Sequence, residues 1–495
     1  MNIDNQWVRA NYKGEEFFTI PDTVTKIGYQ AFSDCESLKS ITIPNGVTSI
    51  DKWAFSDCTS LESITIPTSV TKIGEHAFYD CRSLKSIIIP NGVTSICDGA
   101  FKYCTSLESV TIPDSVMSIG TDAFCGCRSL KSIIIPNGVT SIGNDAFENC
   151  ESIKSITIPD GVTSIGYGVF YGCESLESIT VPDTVTKIGE YAFKDCKSLE
   201  SITIPNGVTS IGDEAFKYCT SLESITITTS VIKIGEYAFY NCISLKSITI
   251  PDSVTSIGDW AFSYCMPLKS ITIPDGVTSV GLWAFKCCTS LESITIPDSV
   301  TSIGDGAFSD CTSLKSITIP DSVTSIGYGA FHSCKSLKKI TIPNGVTSIG
   351  IEAFRGCKTI ITYNEIAYPS YVFSRGGNII PFIRTPSYEN LMKIEDVSIK
   401  ARLALDYVDS EDKRFVNYTK GYCTILIKQS VENEDWDALD KIFNSEHKLL
   451  TPKQLDECMK FAVENKYHEL FVLLMRYKEN TDNYDKDDNR FDLGL

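Results

Sequence analysis

Apolar and polar positions follow one another in this chain on a fixed spacing. In the stretch ITIPNGVTSIDKWAFSDCTSLES, Ile41 to Ser63, the apolar residues are Ile41, Ile43, Val47, Ile50, Ala54, Phe55, Cys58 and Leu61. Near copies run from about Phe18 to about Glu365. The prolines set the period at 23, from Pro21, Pro44 and Pro67 to Pro320 and Pro343; only Thr228 breaks the series, so 14 of 15 copies keep it. Self-similarity at a fixed period of about 20–50 residues is the mark of a stacked solenoid, whose coils bury a core only against their neighbours.

Each copy predicts one coil. Leu38, Ile41 and Ile43 form L-x-x-I-x-I, the pattern of a strand with its inward residues set by the pleat. Pro44 has no N–H for a ladder and ends the strand, and Asn45-Gly46 turns the chain. Val47 and Ile50 point back inward. The glycine that follows, at Gly28, Gly74, Gly120 and ten more positions, predicts a positive-φ corner, replaced only at Asp51 and Cys97. Ala54-Phe55 and Cys58 pack the far wall. Phe recurs in all 15 copies, from Phe32 to Phe354, and predicts a stacked spine.

The motif L-x-x-I-x-I-P-x-x-V-x-x-I-G-x-x-A-F-x-x-C resembles the BspA-like subclass of leucine-rich repeat proteins over about 345 of the 495 residues. The resemblance implies a right-handed curved solenoid with a parallel sheet on one face. It also implies adhesion or protein binding, often at the surface of anaerobic bacteria or some protists. The expected fold is a mainly β leucine-rich-repeat solenoid of about 15 coils with a small all-α C-terminal domain.

The flanks read differently. Residues 1–19 are expected to cap the first coil, with Trp7 across its open end. Residues 20–365 are the solenoid, and 366–385 a C-terminal cap and linker. Residues 386–479 form a helical domain. There, Thr451-Pro452-Lys453-Gln454 combines an N-cap, Pro at the first helical position and a capping-box Gln. Leu455, Met459 and Ala462 then share one face, and Leu470, Leu473, Leu474 and Tyr477 mark a following helix. Trp436, Leu439 and Phe443 indicate a helix before them; Val397, Ala401, Leu405 and Val408 indicate one earlier still. Glu434 to Glu479 resembles a degenerate ankyrin-like helix pair without the T-P-L-H-x-A signature. Residues 480–495 are an acidic tail.

A formal net charge of −18 argues against a general nucleic-acid or anionic-membrane binder. No apolar run is long enough to insert into a bilayer. The N-terminus lacks the pattern of a secretory signal, so the chain reads as cytoplasmic by sequence, although the resembled family includes cell-surface proteins. Fifteen of the 20 cysteines fall on the repeat period, Cys35 and Cys58 to Cys357, and are expected to form a reduced thiol ladder. Cys125/Cys127 and Cys287/Cys288 are the tight pairs, with no second pair or His beside them, so no metal site is expected. His76 and His332 read as solvated surface residues. No nucleotide-binding, nucleophile-elbow or H-E-x-x-H motif occurs, so no cofactor or catalytic set is expected. Asp485, Asp487 and Asn489 lack the Gly and closing Glu of a calcium loop. Asn417-Tyr418-Thr419 has the form of a glycosylation sequon.

Ser40 and Thr42 flank an inward Ile and predict outward hydroxyl columns. The position of Lys39 changes charge in blocks: Lys131 and Lys154, then Glu177, Glu200 and Glu223, then Lys246 and Lys269. Aromatic and large apolar residues concentrate on the turn side of three coils: Tyr237, Tyr240, Ile243, Trp260, Tyr264, Met266, Leu282 and Trp283. Aromatics with Met are typical of interface cores, so these eight are the candidate partner contact. The function read from the chain is a non-enzymatic interaction scaffold or adhesin-like protein, its partner a protein or a glycan. The competing reading is an effector or enzyme acting through the C-terminal helical segment, with the repeats as a targeting arm.

Overall fold

The computed structural model describes residues 1–357, 359–363, 366–373, 379, 383, 386–394 and 396–480. The acidic tail, with Asp485, Asp487 and Asn489, lies outside the described residues. The chain forms a parallel-sheet β-solenoid of about 16 turns followed by helices.

Each coil contributes two short strands rather than one. A first ladder stacks Phe17–Thr19, Ser40–Thr42 and Ser63–Thr65 in register, Ile41 opposite Ile64 and Thr42 opposite Thr65. It reaches Lys339–Thr341 and ends on Ile360–Tyr363, against which Ile366–Pro369 turns back antiparallel. A second ladder begins at Asn2–Ile3, pairs it with Lys26–Ile27, and continues through Ser49–Ile50 and Lys72–Ile73 to Ser348–Ile349. Between the two, the Val47 N–H donates to the Pro44 carbonyl at 3.1 Å, closing the turn that Pro44 starts. Leu38, Ile41, Ile43, Val47, Ile50, Ala54, Phe55 and Cys58 are all buried in one coil, and their equivalents in nearly all others. The phenylalanines stack with centroids 5.2–5.7 Å apart from Phe32 to Phe354.

The far wall is built by alternation. The N–H groups of Trp53, Phe55 and Asp57 donate to Glu75, Ala77 and Tyr79 of the next coil, at 3.0, 2.8 and 2.8 Å. Those of Ala54, Ser56 and Cys58 turn back to Asp51, Trp53 and Phe55. The alternation requires two left-handed residues per coil. They run from Gln30 and Asp34 in the first copy to Glu352 and Gly356 in the last, all at φ between 51° and 76°.

The glycine corner is corrected by this geometry. Gly28, Gly74 and Gly120 do not have positive φ. They are needed for close approach: a β-carbon on Gly74 would lie 2.6 Å from the Lys52 nitrogen, and one on Gly28 would lie 2.7 Å from the Ile3 carbonyl oxygen. Nothing in the structure explains how Asp51 and Cys97 are accommodated at this position.

The cysteines also have a specific task. The thiol of Cys58 donates to the Phe32 carbonyl at 3.1 Å, and the same bond recurs in each coil to Cys357 and Phe331, at 2.9–3.3 Å. Cys therefore fills a small apolar space and gives a second hydrogen bond to a buried Phe carbonyl that already accepts the N–H of its own coil's Cys, as Phe32 does from Cys35 at 3.3 Å. All 20 cysteines are free thiols.

The N-terminal end is closed by Asn2–Ile3 and helix α1 (Asn5–Asn11), capped by Asp4. Trp7 packs half-buried against the core there. At the other end follow α2 (Tyr388–Met392), α3 (Val397–Leu405), α4 (Lys413–Glu432), α5 (Trp436–Asn444), α6 (Pro452–Glu464) and α7 (His468–Asn480). The solenoid core continues without a break through Phe373 and Leu391 to Ile399, Leu403 and Phe415, and a second core lies among α3 to α7. The Thr451–Gln454 capping box is present, and Leu455, Met459, Ala462, Leu470, Leu474 and Tyr477 are buried. Trp436 and Val397 are exposed rather than inward. Helices α2 and α4 were not legible from the apolar spacing. The sequon lies within α4, where the Thr419 hydroxyl is buried and donates to the Phe415 carbonyl at 2.9 Å.

Candidate interaction site

The two left-handed positions form columns along the solenoid, and what occupies them decides the surface. The first holds, in order, Gln30, Trp53, His76, Gly99, Asp122, Asp145, Gly168, Tyr191, Glu214, Tyr237, Trp260, Trp283, Gly306, Gly329 and Glu352. Glycine fits such a backbone without penalty, whereas an L side chain there costs roughly 1–2 kcal/mol. Tyr237 (53°), Trp260 (59°) and Trp283 (54°) therefore occupy strained positions, as does Tyr264 (63°) in the second column.

Five of the eight candidate residues come together. Tyr237 stacks on Trp260 at 5.7 Å and 7°, and Trp260 on Trp283 at 5.4 Å and 20°. Tyr240 meets Tyr237, Trp260 and Tyr264 edge to face at 5.4–6.2 Å. Trp283 ends the stack on Gly306, where an added β-carbon would collide with the indole. Lys217 lies 4.7 Å over Tyr237, and Lys286 4.6 Å over Trp283, each adding a cation–π contact. Burial raises the phenol pKa of Tyr237, Tyr240 and Tyr264 and keeps them neutral. The rings are half-buried, and Tyr237, Trp260 and Trp283 turn their faces on one another. Ile243, Met266 and Leu282 are the exposed members, at 41%, 40% and 42%. Ile243 and Met266 follow the second left-handed column by two residues, and Leu282 precedes Trp283.

A second cluster was missed. Trp53 stacks on His76 at 4.1 Å and 6°, and Tyr79 contacts both rings and Tyr103. His76 is thus not a solvated residue: its Nδ1 is buried without a hydrogen-bond partner, and burial lowers its pKa. The signal was available, since Trp53 and His76 share the 23-residue column of Trp260 and Trp283.

The strand face is quieter. The charge blocks around Lys39 resolve into pairs between adjacent coils: Lys39–Glu16, Lys85–Glu62, Lys131–Glu108, Lys154–Glu177, Lys246–Glu223 and Lys315–Glu292, at 2.6–3.1 Å. Exposed pairs of this kind each contribute little, because solvent and salt screen them. The threonine column is exposed, and Ile88 and Ile134 stand out of it at 69% and 83%.

The period, the two ladders and the cysteine–phenylalanine wall have a counterpart among known sequences. A family model described as a BspA-type leucine-rich repeat region of six copies matches residues 11–131, 117–246 and 232–361. The chain belongs to this BspA-type leucine-rich repeat family. A BspA-type chain is also what the solved structures resemble. A leucine-rich repeat protein from Bacteroides ovatus is 35% identical, over 69% of this chain and 84% of its own, with a TM-score of 0.58. One from Eubacterium ventriosum is 27% identical over 72% and 96%, with a TM-score of 0.44. A leucine-rich cell surface protein from Faecalibacterium prausnitzii is 32% identical over 66% and 87%, with a TM-score of 0.35. No curated protein matches the chain. Among the described residues, no helix is long and apolar enough to cross a membrane.

Proposed function

We propose that this protein is a non-enzymatic, adhesin-like interaction scaffold that grips a protein partner through the aromatic wall of Tyr237, Tyr240, Trp260, Tyr264 and Trp283, rimmed by Ile243, Met266 and Leu282. One observation carries the reading. Four of these aromatics sit at backbone positions where glycine would be unstrained, and a bulky residue kept at a strained position points to a use beyond the fold. Repeat solenoids offer extended surfaces suited to such contacts. The stacked rings favour a protein over a glycan, because a sugar stacks on an open ring face and these faces are taken. The test is capture of partners on the full chain, followed by the double variant Trp260→Ala, Trp283→Ala. Affinity for the captured protein should fall at least about a hundredfold, as for central aromatic anchors; unchanged affinity removes the wall from the proposal.

The competing reading, activity in the C-terminal helices, gains no support from their charged residues. The charges gathered around Arg402 are closed into a buried ion-pair network rather than opened to a substrate.

A further inference from the structure

One pair of coils departs from the rest in a way that the aromatic wall does not use. At the first left-handed column it carries Asp122, at φ 56°. Three residues on, where other coils have Ser, Tyr, Lys, Glu, His or Arg, it carries Cys125, and the next coil supplies Glu148 at the equivalent position. The three donor atoms, two carboxylate oxygens and the Cys125 sulfur, all lie within 4.8 Å of one another. The Cys125 thiol donates to Glu148 Oε2 at 3.3 Å and is 2% exposed. Among the described residues, this is the one group of three such side chains that converges so closely.

We propose that Asp122, Cys125 and Glu148 bind one thiophilic divalent cation of the zinc class. One thiolate with two carboxylates is a borderline-soft donor set, which suits Zn²⁺, Co²⁺ or Cd²⁺ and not Mg²⁺ or Ca²⁺. Zn²⁺ takes four ligands at about 2.0–2.3 Å, so a tetrahedral ion here keeps one position for water. The local charge favours a cation: Asp145 adds a third carboxylate in the field of Glu148 and Asp122, against one ammonium, Lys102, held 2.9 Å from Asp122 Oδ2. Binding replaces the S–H···O contact. The cation takes the sulfur lone pair, and the thiol proton leaves to solvent. The pair Cys125/Cys127 conceals the site in the sequence, because Cys127 belongs to the thiol ladder and bonds the Phe101 carbonyl instead. The second and third ligands come from the coil's own turn and from one period later.

The test uses the full chain, stripped of metal by chelation, with Co²⁺ as probe. One Co²⁺ per chain should give a thiolate-to-cobalt charge-transfer band and the visible bands of a tetrahedral ion, displaced by Zn²⁺. Cys125→Ser should abolish the charge-transfer band, whereas Cys97→Ser, a half-buried thiol elsewhere, should retain it. Glu148→Gln, at a partly exposed position that the core does not need, should weaken binding on the order of tenfold or more, since even an outer-shell partner contributes that much. Absence of the band in the unaltered chain, or its survival in Cys125→Ser, overturns the assignment. So does unchanged Co²⁺ affinity in Glu148→Gln.

Discussion

The Arg402 guanidinium and the Asp435 carboxylate meet at 2.7 Å, Nε to Oδ2, with both side chains almost wholly buried. Asp406 takes a second guanidinium nitrogen at 2.7 Å, and the Tyr371 hydroxyl donates to the same Asp435 oxygen at 2.7 Å. Asp435 also accepts from the Ala438 N–H and so caps α5. One carboxylate thus joins α3, α5 and the segment after the last coil. Removing one partner leaves a buried charge uncompensated, so Arg402→Met should destabilise the helical part by roughly 3–5 kcal/mol in urea unfolding. A loss below about 1 kcal/mol would show that the network is a bystander.

The thiol ladder predicts a reactivity pattern. Burial raises Cys173 and Cys265 to about 12, and Cys58 and Cys81 well above the ordinary thiol value. Native protein at pH 8 should expose to a thiol reagent only Cys35, Cys97 and Cys287, the three half-buried cysteines, with all 20 reacting after unfolding. Cys196→Ala should cost about 0.5–1.5 kcal/mol, because the Phe170 carbonyl loses the thiol but keeps the Cys173 N–H at 3.2 Å.

His76 makes stability depend on acid. Burial, with Lys102 nearby, lowers its pKa from 6.5, so the folded state holds it neutral while the unfolded chain protonates. The contribution is present above pH 6.5 and is lost as pH falls through the lowered folded value. His76→Phe, which keeps the stack on Trp53, should flatten this part of the stability–pH curve. An unaltered curve would assign the acid sensitivity elsewhere.

Trp283 separates strain from use. Trp283→Gly relieves about 1–2 kcal/mol of left-handed backbone strain and forfeits about 0.5–1.5 kcal/mol of stacking on Trp260. Thermal stability should therefore change little while partner affinity falls. A large loss of stability with affinity intact would make the stack purely structural.

Much of this was legible because 15 copies average out local ambiguity. Strand, Pro turn, Phe spine and buried Cys each occupy a fixed offset, and the capping box at Thr451 shows its own hydrogen bonds. The glycine corner was misread for a physical reason: a residue without a side chain signals either positive φ or close approach, and a sequence does not tell them apart. Gly212→Ala, which would put a β-carbon 2.6 Å from the Glu190 nitrogen, should cost about 1–3 kcal/mol or more. The true left-handed positions mix Gly with Trp, Tyr, Asp, Glu and His and so show no glycine signature of their own. Helix α4 was hidden because its inner face, Phe415, Thr419, Cys423 and Leu426, is periodic only if Thr and Cys count as apolar, and Gly421 interrupts it. In the candidate site the cluster was visible, but the face-to-face packing of Tyr237, Trp260 and Trp283 was not, since it depends on left-handed backbone along one column.

The unequal ends of the stack give the molecule a mechanical polarity. A two-residue strand and a seven-residue helix hold the first coil, whereas the last is locked through Tyr371 to a buried ion network. Under tension the stack should peel from its N-terminal end, one coil at a time. Each step would release roughly 80 Å of extended chain, the reach of one repeat at about 3.4 Å per residue. A tethered copy of this protein would then yield as a ratchet, absorbing load in equal increments while the coils behind the peeling front keep their shape.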